Sequence, residues 1–204
     1  MEEQAAALRA LAGQIAVCPR CELSQTRTHA VPGEGDPNAE IVFIGEGPGF
    51  YEDQQARPFV GPAGKFLDEL LASIGLKRAD VFICNVLKCR PPGNRDPLPG
   101  EIAACKPWLD EQLEAIKPRV IVTLGRFSMN RYFPGQSISR IHGQAKKLGD
   151  VMVVPMYHPA AALHQGSLRR TIEQDFKKLP AILQQTLKEE PAPRDPEPVQ
   201  IQLL

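Results

Sequence analysis

The chain has 204 residues, with 24 basic and 24 acidic side chains and a formal net charge of zero. Hydrophobic residues at 43% and charged residues at 24% are ordinary for a folded domain and exclude wholesale disorder; the length favours one domain with a sizeable core. A zero balance argues, at first sight, against a nucleic-acid binder, which usually presents a basic surface.

Taken in chain order, residues 2–16 carry helical apolar spacing at Ala5, Leu8, Leu11, Ala12 and Ile15. Residues 40–45 predict a short buried strand, 64–74 an amphipathic helix with Phe66, Leu67, Leu70 and Leu71 on one face, and 81–86 a second strand. A Pro-rich loop at 90–99 leads into a helix at 100–116, with further strands at 120–125 and 151–156. Residues 171–187 read as a closing helix, interrupted or bent at Pro180. Continuous Val/Ile strands separated by helices imply an α/β fold with a parallel sheet covered on both faces. Residues 189–199 hold four prolines and four acidic residues and read as an unstructured tail. The expectation is one domain over 1–188 and a tail over 189–204.

The apolar runs at 41–44 and 120–122 are too short to span a bilayer. Met1-Glu2-Glu3-Gln4 lacks the charged-then-apolar layout of a signal peptide. A soluble cytoplasmic protein, acting as a monomer, is therefore expected.

Three loops rich in Gly, Pro and polar groups follow strands: Gly45-Glu46-Gly47-Pro48-Gly49, Lys88-Cys89-Arg90-Pro91-Pro92 and His158-Pro159. Ligand sites of open parallel sheets lie at the carboxyl ends of strands, so the three loops point to one composite site. The glycine loop is not a dinucleotide fingerprint. Pro48 interrupts it, the next helix starts only near Gly64, and Lys65 stands where a ribose would want an acid.

Five cysteines in a reducing compartment point to metal binding or redox work before disulfides. Cys18 and Cys21 form a C-x-x-C pair, and Cys89 and Cys105 lie far downstream. Four such thiolates suit either a tetrahedral zinc or an iron–sulfur cluster, and four unliganded core thiols are the plain alternative. Cys84, inside an apolar strand, reads as core.

Taken together, these features resemble the family 4 uracil-DNA glycosylases, the iron–sulfur class of the uracil-glycosylase superfamily. The residues that carry the resemblance are Cys18, Cys21, Cys89 and Cys105; the loop 45–49 with Glu52; Arg57-Pro58-Phe59-Val60-Gly61; Asn85 through Pro92; and His158-Pro159. The match runs in order from about Cys18 to the closing helix. It implies a three-layer α/β/α fold around a short central parallel four-stranded sheet, and a [4Fe–4S] cluster on the four named cysteines. It also implies base flipping and hydrolysis of the N-glycosidic bond of deoxyuridine in DNA, leaving an abasic site for base excision repair.

By the same resemblance, Phe59 stacks on the uracil, Asn85 reads its polar edge, the backbone around Gly45, Glu46 and Gly47 contacts the base, and His158 faces the leaving group. Glu52 is the candidate to fill the space a thymine methyl would need, and Leu163 is the candidate wedge between base steps. Many relatives place an Asp where Gly47 stands, to orient the attacking water; without it, Glu46 is the nearest carboxylate, with a purely structural acceptor as the alternative. His29 and His164 read as surface residues. The chemistry suits these residue types, because an amide offers a donor and an acceptor together and a donor aimed at uracil O2 stabilises the departing anion. A cluster protein that binds uracil without cleaving it, and a zinc-bearing nucleotide-binding module, are the competing readings.

The last residues, Gln200-Ile201-Gln202-Leu203-Leu204, resemble the short peptides by which bacterial repair proteins dock on the replication sliding clamp. The zero net charge also resolves into unlike parts. Residues 1–76 carry net −6 and residues 77–147 net +7. The basic stretch contains the Pro-rich loop with Arg90 and Arg95, where a polyanion would lie.

Overall fold

A computed structural model describes residues 2–188. In chain order it contains α1 (Glu2–Ala16), α2 (Leu23–Thr26), β1 (Glu34–Gly35), β2 (Ile41–Gly45), α3 (Phe50–Gln55), α4 (Pro62–Ser73), β3 (Phe82–Asn85), α5 (Pro99–Ile116), β4 (Val120–Leu124), α6 (Arg126–Asn130), α7 (Ile138–Ile141), β5 (Lys146–Leu148), β6 (Val151–Met156), α8 (Pro159–His164), α9 (Ser167–Phe176) and α10 (Leu179–Lys188). The sheet order is β1-β3-β2-β4-β6-β5.

The four expected strands form the parallel centre, β3-β2-β4-β6. The sheet has six strands rather than four, because β1 and β5 add antiparallel edges. Two and three residues long, with the sequences Glu-Gly and Lys-Lys-Leu, these edges carry no apolar run to announce them. The closing helix is two helices, α9 and α10, with Pro180 in the first turn of the second, where its missing N–H costs nothing. The clamp-like peptide at 200–204 lies outside the described residues, as does the whole tail 189–204.

Strand side chains alternate between faces, and β2 shows the consequence. Val42 and Ile44 pack with Ile15 of α1 and Trp108 and Leu109 of α5. Ile41 and Phe43 pack with Leu67 and Leu70 of α4 and Phe176 of α9. Helices therefore cover both faces, giving three layers. No described helix is long and apolar enough to cross a membrane.

From β2 the chain crosses to β3 on one side, then returns to β4 on the other. The carboxyl ends of β2 and β4 therefore flank a topological switch point, the place where α/β sheets open a ligand crevice.

Candidate active site

A cavity of about 560 Å³ opens at that crevice, within the range of small-ligand sites. Its walls include Glu46 and Gly47 after β2, Asn85 at the end of β3, Phe59 and Glu52 from the connection to α4, and His158 after β6. The expected site residues Glu46, Gly47, Glu52, Phe59, Asn85, His158 and Leu163 thus share one cavity. Gly45 lies just beneath it, in register with Asn85.

Gly45 is there because nothing larger fits. A Cβ on it would come within 2.3 Å of Asn85 Oδ1 and 2.7 Å of the Phe59 ring. Amide bonds from Val86 to the Gly45 carbonyl and from Leu87 to that of Glu46, each 3.0 Å, extend the β2–β3 ladder and lock Asn85 beside it. Asn85 is buried.

Phe59 takes a left-handed backbone with φ of 53°, a conformation that costs a bulky residue ~1–3 kcal/mol. Its surroundings impose that conformation. Arg78 Nη1 donates to the Phe59 carbonyl at 3.1 Å and Nη2 to that of Pro58, while Nε donates to Glu34 Oε1 at 2.8 Å. On the other side, Glu52 Oε1 accepts from the amides of Val60 at 3.0 Å and Gly61 at 3.1 Å. A Cβ at Gly64 would collide with the Phe59 carbonyl at 1.8 Å. Glu52 is thus both a wall of the cavity and a clamp on the Phe59 loop.

His158 is half-buried in the cavity wall, and its imidazole stacks on Phe59, with ring centroids 5.4 Å apart and planes 22° apart. Burial drives its pKa down to about 4, against a small opposing pull from Glu52. The ring is therefore neutral at physiological pH. Its Nδ1 accepts from the Ala160 amide at 3.1 Å, so the single ring proton sits on Nε2, making that nitrogen the free donor.

Glu46 is held at the start of α6. Its carboxyl accepts the backbone N–H groups of Phe127 and Arg126, yet burial raises its pKa above the usual carboxylate value. Gly125, with φ of 95°, lets it approach: a Cβ there would meet Glu46 Oε1 at 2.4 Å.

At the rim, Leu163 is 50% exposed and so is not a core residue of α8. His164 is exposed beside it. Arg95 is engaged by Glu101 at 2.6 and 3.0 Å, whereas Arg90 commits Nε to Asn94 Oδ1 at 2.7 Å. His29 is exposed, as expected of a surface residue, with Nδ1 2.9 Å from the Asp53 carbonyl oxygen.

A second, smaller cavity is lined by Cys18, Cys21, Cys89 and Cys105 together; Cys84 is buried apart from it in β3. Three of these sulfurs accept N–H bonds: Cys89 from Arg27 Nη1 at 3.0 Å, Cys105 from the Lys88 amide at 3.2 Å, and Cys18 from Trp108 Nε1 at 3.2 Å. Burial pushes the Cys105 thiol up to about 11 and raises Cys89. Among the described residues, no three His, Cys, Asp or Glu side chains converge to hold a single metal ion.

Lys88, which the sequence did not single out, joins the two cavities. Fully buried, it lines the cysteine cavity and donates Nζ to the Asn85 carbonyl at 2.9 Å and to Gln112 Oε1 at 2.6 Å. Arg78 and Glu34 were not singled out either, since Arg78 meets Phe59 across 19 residues and Glu34 across 44.

Comparison with known proteins gives a consistent result. Residues 32–183 match the family model described as the uracil DNA glycosylase superfamily. The chain is 50% identical over 176 residues to a type-4 uracil-DNA glycosylase of Sulfurisphaera tokodaii, covering 81% of this chain and 80% of that one. It is 51% identical over 175 residues to that of Archaeoglobus fulgidus, covering 81% and 88%. Against that of Saccharolobus solfataricus the identity is 46% over 183 residues, covering 85% of each.

Proposed function

Because the chain belongs to the uracil DNA glycosylase superfamily, on its type-4 branch, we propose that the cavity at the switch point is where it excises uracil from DNA. The observation that carries this reading is the meeting of Asn85, Phe59 and a neutral His158 in one cavity.

The target bond is hidden in the stack, so the deoxyuridine must be flipped out at a cost of a few kcal/mol. Stacking on Phe59 recovers ~1–3 kcal/mol of it. The Asn85 amide donates to uracil O4 and accepts from N3–H. Cytosine presents the opposite pattern and would leave buried groups unpaired, a strong discriminator. Glu52 walls off the space a thymine methyl would need. Water attacks C1′ and uracil leaves as an anion, while the His158 Nε2–H stabilises the charge growing on O2. Glu46 is the candidate to hold that water. Its raised pKa suits a base, and its two amide contacts leave lone pairs free. Leu163, exposed at the rim, serves as the wedge.

Release of free uracil from an oligonucleotide with one deoxyuridine tests the reading, with matched deoxycytidine and thymidine strands releasing nothing. Binding without release would support the silent binder instead.

The neutral donor has a pH signature. Above about 4 the imidazole keeps both its Nε2 proton and its bond from Ala160, so kcat/KM is expected to show no inflection at 6.5. Protonating Glu46 removes a base, so an acid limb is expected above the ordinary carboxylate value of 4.5 and absent in Glu46→Gln. An imidazole inflection that persists in Glu46→Gln would contradict the assignment.

Cys18, Cys21, Cys89 and Cys105 would hold a [4Fe–4S] cluster. The donor set fits: four sulfurs line one cavity, three of them accepting N–H bonds, and such bonds are a means of tuning clusters. Iron would keep the thiolates ionised against the burial that otherwise protonates them, and buried Lys88 balances their charge. Bound there, the cluster supplies a covalent tie between the N-terminal segment, the loop after β3 and α5, because hydrolysis moves no electrons. Cys89→Ser is expected to lose absorption near ~400 nm and several degrees of Tm. Retained colour and Tm would reject Cys89 as a ligand.

The protein acts as a cytoplasmic monomer, with residues 200–204 docking on the sliding clamp to raise local concentration near DNA.

A further inference from the structure

The rim of the cavity carries two aromatic side chains that the excision chemistry leaves unused. Phe50 and Tyr51 open α3 directly behind Gly49 and are 50% and 53% exposed. They pack edge to face, with centroids 5.6 Å apart and planes at 80°. Both line the same cavity as Asn85 and His158.

Neither ring is loose. Tyr51 lies against Gly61, where a Cβ would come within 3.2 Å of its Cδ2. Phe50 has the Arg90 guanidinium 5.2 Å from its centroid, and Arg90 is itself fixed through Nε to Asn94. Large rings held half-exposed, in contact with a site and bordered by a cation, mark surfaces that are covered on binding.

The chemistry of the neighbouring ligand says what covers them. When a deoxyuridine leaves the stack, the base beside it in the same strand loses a stacking partner and exposes a π-face. Aromatic rings accept any such face, and Arg90 keeps its terminal nitrogens for the adjoining phosphate. In duplex DNA that base stays paired and cannot swing onto the rim; in a single strand it can. We propose that Phe50 and Tyr51 form a stacking platform for the base next to the flipped deoxyuridine, with Arg90 on its phosphate, and that the platform gives the protein a preference for single-stranded DNA. The proposal rests on the uracil-pocket reading and extends it to the flanking nucleotide.

The test uses the full chain and oligonucleotides with 2-aminopurine on either side of a non-cleavable 2′-fluorinated deoxyuridine. Binding of the single strand is expected to quench the 2-aminopurine in one of the two flanking positions. Phe50→Ala with Tyr51→Ala is expected to abolish that quench and weaken single-strand binding between about fivefold and 100-fold, with a smaller change for duplex. Phe50→Leu with Tyr51→Leu keeps apolar bulk without a π-face and should also lose the quench, while unchanged thermal melts show that both variants fold. A quench that survives in both double variants, or no quench by the unaltered protein in either position, overturns the platform. Failure of the unaltered protein to release uracil from ordinary deoxyuridine would remove the pocket reading, whereas release without flanking-base quenching removes the platform alone.

Discussion

His158→Ala and Asn85→Ala are each expected to slow single-turnover uracil release by at least ~100-fold, the scale of losing one donor preorganised for the transition state. The two losses should differ in kind. In the proposed role His158 acts on charge that appears only as the bond breaks, so its removal should lower kcat with little change in KM. In its proposed role Asn85 touches the base before and during departure, so its removal should raise KM as well as lower kcat and should relax discrimination against cytosine. His158→Ala also frees the Ala160 amide, but α8 starts at Pro159 and sits at the rim, so folding should survive. A wild-type rate in either variant would remove that residue's role.

Gly45→Ala is expected to cost as much with one methyl group. The β2 backbone is pinned by β3 on one side and β4 on the other, so it cannot retreat from the clash at 2.3 Å with Asn85 and 2.7 Å with Phe59. The side chains must move instead, and a displacement of about 1 Å in reacting groups costs on the order of 100-fold in rate. Overpacking should also lower stability by ~1–3 kcal/mol. Gly100→Ala is the control: a Cβ there meets nothing within 4 Å, and Ala favours the helix, so Tm should hold or rise with activity intact. Equal activity in Gly45→Ala would mean that Asn85 and Phe59 do not need their observed positions.

The parallel centre of the sheet was legible because Ile41–Gly45, Val120–Leu124 and Val151–Met156 are apolar runs of strand length bounded by turn residues. The edges at Glu34 and Lys146 were not, since strands that short and polar are recruited by a neighbour's open hydrogen bonds, not by their own composition. Gly45, Glu46 and His158 sit at or just past the ends of two of those runs and Asn85 at the end of β3, which is why the strand-end rule and the family resemblance gather them. What holds them was hidden. Arg78 reaches Phe59 from 19 residues away, and Lys88 reaches Gln112 across 24; both depend on folded distances. The state of His158 was equally unreadable, because burial, not residue type, makes it neutral. Phe50 and Tyr51 carried no signal, since no helix was expected before Gly64, whereas α3 begins at Phe50 and leaves both rings half-exposed at the cavity mouth. Arg90, by contrast, was legible once the zero net charge was divided along the chain, and it stands over the Phe50 ring at that mouth.

A crystal structure of the protein with uracil bound is the most direct test of the central claim. The base is expected over the Phe59 ring, with O4 and N3–H on the Asn85 amide and O2 facing His158 Nε2. Uracil bound outside this cavity, or bound in it with N3–H turned toward His158, would contradict the account.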